Sequence, residues 1–366
     1  MSVSWNTIDQ HSILFPILCL IKSRQLLTIR GTNKHWCKAV QQSRVWKHRY
    51  VQVDVKDDPA DNHGEVLESL SKVVNHIQSL ELRFSVYCYL PLCTTAIEKL
   101  RPLRLKCSTQ IHSLYGHPVI VVPSTVISLQ FNNITCHNQV DLSKCVNLQN
   151  LMILYSNLSA PVEQILQCSQ LRAFTDNQSK YTTESLIWLL TEIPTLQHLR
   201  ISCELFSYVS STHKLFKSPK QISTVTHFIL NVNQILDIEV LEEILRMCSH
   251  LTHLQLRLPF QSDIIISQYL KYMPKLQYVD ILHYAYHNNL PEIEANYHRE
   301  ETQNIFKQHK ILREVWVNFT LLYQNASNPI VYPPDYDDDS VNDKINEISL
   351  FYTNPINPLY TTILSQ

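Results

Sequence analysis

Glycine is nearly missing from this chain, with three in 366 residues, at Gly31, Gly64 and Gly116. Phosphate-cradling loops and dinucleotide fingerprints need several glycines within a few residues, because backbone amides must approach the ligand closely. Both are excluded. Charge is also sparse, at 17% of residues with a formal net charge of −1. No global field therefore draws the chain to nucleic acid or to an anionic membrane. Long apolar runs are lacking too. The longest near the N-terminus, Ile13 to Ile21, is nine residues, too short to span a bilayer. No basic region precedes it and no small-residue cleavage site follows, so a secretory signal is not expected. The Asn-x-Ser/Thr matches at Asn133, Asn157, Asn177, Asn318 and Asn325 accordingly carry little weight.

Motifs for chemistry are lacking as well. The sequence contains no Cys-x-x-Cys, His-Glu-x-x-His or Gly-x-Ser-x-Gly, so neither a zinc site nor an activated serine is expected. His250 and His253, and His283 and His287, are spaced for metal ligation only on a helix, and both pairs fall on or beside expected strands. No catalytic residue, metal or cofactor is expected.

Ten cysteines are present, and their positions speak for packing. Cys145, Cys168 and Cys248 each stand three residues before the first leucine of a recurring motif, where other copies hold Ile193 and Met273. A place that accepts Cys, Ile or Met is an apolar core position. Reduced thiols, and a location in cytoplasm or nucleus, are the expectation.

The motif is Leu-x-x-Leu-x-Leu. It recurs ten times between Ile77 and Val317 at intervals of 22 to 36 residues. Its clearest copies are Leu148-Leu151-Ile153, Leu196-Leu199-Ile201 and Leu251-Leu254-Leu256; looser ones begin at Ile77, Leu100, Val126, Val225, Leu276 and Leu312, and a degenerate one pairs Leu171 with Phe174. Between copies the spacing becomes helical, as in Leu241, Ile244, Leu245 and Cys248. Leu186, Leu189, Leu190 and Ile193 repeat that stripe, as do Ile266, Tyr269, Leu270 and Met273; Pro161 suits the first turn of a shorter helix. Each unit therefore reads as strand, turn and helix. Such a period predicts an α/β leucine-rich-repeat solenoid, a horseshoe whose leucines share one core and whose strand face meets a partner.

The combined pattern resembles the cysteine-containing leucine-rich repeats of F-box proteins. Residues 4–50 are similar to the F-box itself. An apolar stretch, Ile13 to Leu20, precedes Arg24-Gln25-Leu26-Leu27, then Lys34-His35-Trp36, then Trp46. Ile8-Asp9 stands where the family has Leu-Pro, and Pro16 falls inside the first helix, where proline costs about 3 kcal/mol. The resemblance implies a small all-helical domain that binds a Skp-type adaptor, and through it a cullin, using Ile8, Leu14, Ile17, Leu20, Leu26 and Leu27. It further implies the substrate-recognition subunit of an SCF-type ubiquitin ligase, non-catalytic in itself. The alternative is a leucine-rich-repeat scaffold or inhibitor without a ubiquitin role, residues 1–50 serving as an end cap.

The expected organisation is residues 4–50 as the F-box-like domain, 51–76 as linker and first cap, 77–325 as repeats, and 326–366 as acidic linker and tail. Target-binding candidates flank the leucines of each strand. A central ladder runs Glu81, Arg104, Gln130, Met152, Thr175, Arg200, Ile229, Gln255, Asp280, Trp316, and its neighbour includes Arg83, Lys106, Asp176 and Arg257. Arg83, Arg101, Arg104 and Lys106 form an expected basic cluster for an acidic protein partner, with Arg83, Arg104 and Lys106 as its target-binding members. Met152, Tyr155, Arg200, Arg257 and Trp316 complete the set, since aromatic and Arg side chains dominate binding hot spots. Two insertions, 207–221 and 284–298, interrupt the spacing.

Overall fold

The computed structural model describes residues 50–55, 71, 77–84, 97–109, 120–132, 134, 140–154, 156, 161–204, 222–232, 238–259, 266–284, 298–317 and 320–325. Twelve strands form one sheet in sequence order. They are β1 (Tyr50–Val55), β2 (Ser79–Phe84), β3 (Arg104–Thr109), β5 (Ser128–Asn132), β7 (Asn150–Leu154), β8 (Ala173–Thr182), β9 (His198–Glu204), β10 (His227–Val232), β11 (His253–Pro259), β12 (Tyr278–Tyr284), β13 (Glu314–Val317) and β14 (Thr320–Gln324). Every pairing is parallel except β13 with β14, which makes the sheet mixed. A separate parallel pair joins β4 (Ile120–Val121) and β6 (Val140–Asp141).

The Leu-x-x-Leu-x-Leu segments become strands because alternate residues of an extended chain point to opposite faces. Register aligns them in rows. One buried row runs Val51, Leu80, Leu105, Leu129, Leu151, Phe174, Leu199, Phe228, Leu254, Val279, Val315. A second buried row includes Leu82, Cys107, Phe131, Ile153, Ile201, Leu230, Leu256, Ile281 and Val317. Each such side chain contributes about 1.5–3 kcal/mol by leaving water.

The structure corrects the expected fold class. The described chain is an α/β sheet fold, one large, mostly parallel sheet with few helices, in place of a leucine-rich-repeat horseshoe preceded by an all-helical domain. Four α-helices have their bounds among the described residues, α1 (Val162–Gln167), α2 (Thr183–Glu192), α3 (Ile238–Met247) and α4 (Glu300–Gln308), and residues 97–100 are helical as well. Where helices were expected between β3 and β5 and between β5 and β7, the described chain holds β4 and β6. The local reason is composition: Val119 to Val122 is a β-branched run between Pro118 and Pro123, which favours extended backbone and denies a helix its amide donors. The stripe Ile266, Tyr269, Leu270, Met273 also forms no α-helix. It makes two 3₁₀ turns, Ile266–Gln268 and Leu270–Tyr272, closed by i to i+3 bonds such as Tyr269 N to Ile266 O at 2.9 Å. Tyr50, expected to close the helical domain, opens β1. The rest of that domain lies outside the described residues.

Where helices form, sequence explains them. Thr182 caps α2, its hydroxyl accepting from Ser185 N at 3.2 Å, which satisfies an otherwise orphaned amide. Leu241, Ile244, Leu245 and Cys248 are fully buried along α3 and its end. Arg246 on the outer side of α3 pairs with Glu242 and Glu243, and donates to Tyr272 Oη at 3.0 Å. With so little glycine, Arg101 occupies a left-handed position, φ 45°, that a glycine would take without strain.

Candidate partner-binding face

Between the two buried rows, and beside them, side chains point to the opposite face of the sheet. Here the register builds three rows. The first runs Ser79, Arg104, Ser128, Asn150, Ala173, His198, His227, His253, Tyr278, Glu314. The central row runs Glu81, Lys106, Gln130, Met152, Thr175, Arg200, Ile229, Gln255, Asp280, Trp316. The third includes Arg83, Ser108, Asn132, Leu154, Ser202, Asn231, Arg257 and Leu282. Most members are half-buried by their neighbours in the row.

Arg104 and Lys106 change places relative to expectation. Leu105 and Cys107 are the inward pair of β3, whereas Leu103 is only half-buried. Lys106 therefore sits in the central row and Arg104 in the first. The consequence is electrostatic. Glu81, 1% exposed, places Oε1 3.1 Å from Lys106 Nζ and 3.3 Å from Arg83 Nε. Ser108 Oγ also lies 3.5 Å from that oxygen. Two cations of the expected basic cluster, Arg83 and Lys106, thus offset one buried carboxylate, and the cluster offers less positive charge to a partner than its sequence promised.

Asp176 differs as well. It takes the inner row, fully buried, in register with Ile153 and Ile201. Tyr181 reaches it across a register shift in β8, donating from its hydroxyl to Oδ2 at 2.9 Å. The Tyr181 ring meets Phe174 edge-on, centroids 5.9 Å apart. Met152, Arg200 and Trp316 stand in the central row and Arg257 in the third. Trp316 Nε1 donates to Glu314 Oε2 at 2.9 Å, which holds the indole against the face. Tyr155 lies outside the described residues, as do Ile8, Leu14, Ile17, Leu20, Leu26 and Leu27. The insertions 207–221 and 284–298 also lie outside them, apart from Tyr284 and His298.

The feature the sequence reading passed over is a stack of imidazoles. His198, His227 and His253 are register partners on β9, β10 and β11. Ring centroids lie 4.4 Å apart for the first pair and 4.2 Å for the second, the latter within 8° of parallel. Tyr278 on β12 continues the strip at 6.0 Å. The signal was present: three successive motif copies hold His just before their second apolar residue. Burial and mutual repulsion drive the rings toward neutrality, pushing His227 down to about 3 and His253 to about 4, while burial also lowers His198. Thr226 Oγ1 lies 2.9 Å from His227 Nδ1 and 3.1 Å from Gln197 O; Thr252 Oγ1 lies 2.9 Å from both His253 Nδ1 and Thr226 O. Such a hydroxyl serves either protonation state. Beneath a charged ring it accepts from Nδ1–H and turns its own hydrogen to the carbonyl.

Next to the strip, Gln255 Nε2 donates to Asp280 Oδ2 at 2.7 Å, and burial raises that carboxyl to about 6 against the opposing pull of Gln255 and Arg257. The thiols of Cys145, Cys168 and Cys248 are free and buried, and burial lifts them to about 12, 11 and 12; none is poised as a nucleophile. Among the described residues, no group of three or more His, Cys, Asp or Glu is arranged to hold a metal ion, and no helix is long and apolar enough to cross a membrane. The face can supply hydrogen bonds, stacking and charge, which is the equipment of recognition. Set against known families and curated proteins, the chain matches no family model and no curated sequence.

Proposed function

We propose that this chain is a non-catalytic receptor that binds a partner protein on the polar face of its sheet. The observation that carries the reading is the register. It lays ten strands' worth of Arg, Gln, Thr, His, Asp and Trp side chains in straight rows opposite the core. A continuous array of half-buried polar and aromatic groups, built on rigid strands, suits recognition of an extended surface.

In its finer form the proposal is the substrate-recognition subunit of an SCF-type ubiquitin ligase, acting in cytoplasm or nucleus. The F-box resemblance of residues 4–50 supports it, with Ile8, Leu14, Ile17, Leu20, Leu26 and Leu27 meeting a Skp-type adaptor and the adaptor joining a cullin. The ligase chemistry then belongs to the assembled complex. Quantitative affinity purification of the full chain tests both halves, beside R200E/R257E and I17D/L20D/L26D. The face variant is expected to keep the adaptor and lose the target, and the N-terminal variant to do the reverse. A folded wild-type chain that brings down no adaptor contradicts the ligase reading. Identical target recovery from the face variant contradicts the binding face.

A further inference from the structure

The imidazole strip is finished at one end and open at the other. Beyond His253, Tyr278 on β12 continues it at 6.0 Å. Beyond His198, among the described residues, no ring follows; its one ring neighbour is His227, at 4.4 Å. The register partner of His198 on β8 is Ala173, whose side chain is a single methyl group. The next member of the row is Asn150 on β7. Neighbouring strands lie about 4.8 Å apart, so β7 and β9 are separated by about 9.6 Å with only that methyl between His198 and Asn150.

The gap has the width of one ring. The strip's own rings repeat every 4.2 to 4.4 Å, close to the strand spacing, so a further ring laid on His198 stands over Ala173 and clears Asn150. Its edge meets the central row, where Met152 on β7 is in register with Thr175, and a thioether beside a ring edge is a favourable contact. His198, Ala173, Asn150 and Met152 are all partly exposed, so the gap opens on the face. Burial lowers the His198 pKa, so the ring presented at neutral pH is uncharged and stacking on it desolvates no cation. Charge beside the gap is positive. Arg172, which is exposed, immediately precedes Ala173, and the first and central rows hold no carboxylate from β5 to β9. An acidic residue beside the incoming ring therefore finds a complementary field.

We propose that the gap over Ala173, between His198 and Asn150, is the docking slot for an aromatic side chain of the partner protein, one flanked by acidic residues. The proposal rests on the reading of this face as the partner surface and names the anchor that the face takes. The ring occupies the place beyond His198 that Tyr278 occupies beyond His253, and the flanking carboxylates lie toward Arg172.

The test titrates the full chain, beside A173L and H198L, with three blocked peptides at pH 7: Glu-Trp-Glu, Glu-Leu-Glu and Lys-Trp-Lys. Histidine ring resonances are followed by NMR, that of His198 being assigned by its loss in H198L. Glu-Trp-Glu is expected to move the His198 resonance upfield, through the ring current of a stacked indole. It should bind about fivefold more tightly than either control peptide, the scale of one aromatic pair. A173L fills the gap and H198L removes the stacking surface, so each folded variant should lose that advantage. Equal affinity for a control peptide, an unmoved His198 resonance, or wild-type affinity in either folded variant overturns the proposal. Target purification separates the slot from the reading beneath it. Target lost from R200E/R257E but fully recovered on A173L keeps the face and overturns the slot. The expected peptide results with identical target recovery from R200E/R257E keep the slot and contradict the receptor reading.

Discussion

The two ends of the polar face handle charge in opposite ways. At β2 and β3, a carboxylate is buried against two cationic partners, Lys106 at 3.1 Å and Arg83 at 3.3 Å. At β9 to β11, three basic rings are packed so closely, 4.2 to 4.4 Å between centroids, that desolvation holds them neutral. The first arrangement spends its charge internally. The second keeps its basic groups uncharged by burying them side by side. A row of basic residues in sequence is therefore a poor guide to where an acidic partner meets a sheet, because register decides which cations are already committed.

The largest break in this comparison comes from dismantling the triad. Replacing both Arg83 and Lys106 by alanine strands Glu81, of which one oxygen, Oε2, already lacks a hydrogen-bond partner. Removing the partners of a buried charge costs about 3 kcal/mol or more, and urea unfolding reads it. Adding E81Q to that pair should restore most of the loss.

The strip should give a pH dependence instead. His198, His227 and His253 titrate lower folded than unfolded, so the unfolded chain binds more protons between their folded values, about 3 and 4 for His227 and His253, and the ordinary value of 6.5. Their stabilisation is complete above pH 6.5 and is lost as pH falls toward those values. Asp280 works in the opposite sense. Raised to about 6 from 3.8, it favours the fold below pH 3.8 and loses that contribution as pH rises through 6. H227Q is expected to flatten the melting temperature between pH 7 and 5, and D280N to steepen it. Unchanged profiles in both would show that the strip is not a titrating unit.

Two smaller effects are expected outside the face. Y181F removes the hydroxyl that serves buried Asp176 and should destabilise by about 1–2 kcal/mol, measured by denaturant midpoint at constant slope. R101G should stabilise by about 0.5 kcal/mol, relieving the left-handed strain less the entropy that glycine brings. Destabilisation there would mean that the Arg101 side chain contributes more than its backbone costs.

How much was legible follows from periodicity. The alternation of apolar residues located the strands from Ile77 to Val317, and the 3.6-residue stripes located α2 and α3. Alternation alone left β3 ambiguous, because Leu103, Leu105 and Cys107 share one parity and only packing chose the last two. It placed Asp176 outside, since a carboxylate in a core row is unreadable without the Tyr181 hydroxyl that accompanies it. The helices expected of every unit failed where Val and Pro fill the connection, as at 118–123, and the fold class was misread with them. The histidine strip was visible as a repeated motif position, yet its meaning needed three strands brought into register.

The proposed receptor joins an adaptor through its N-terminal segment and holds a partner on its sheet. Co-expression of the full chain with a Skp-type adaptor, followed by sedimentation analysis of the purified species, tests it most directly. A stable one-to-one complex is expected, which I17D/L20D/L26D abolishes while the sheet stays folded by circular dichroism. A well-folded full chain that sediments alone would contradict it.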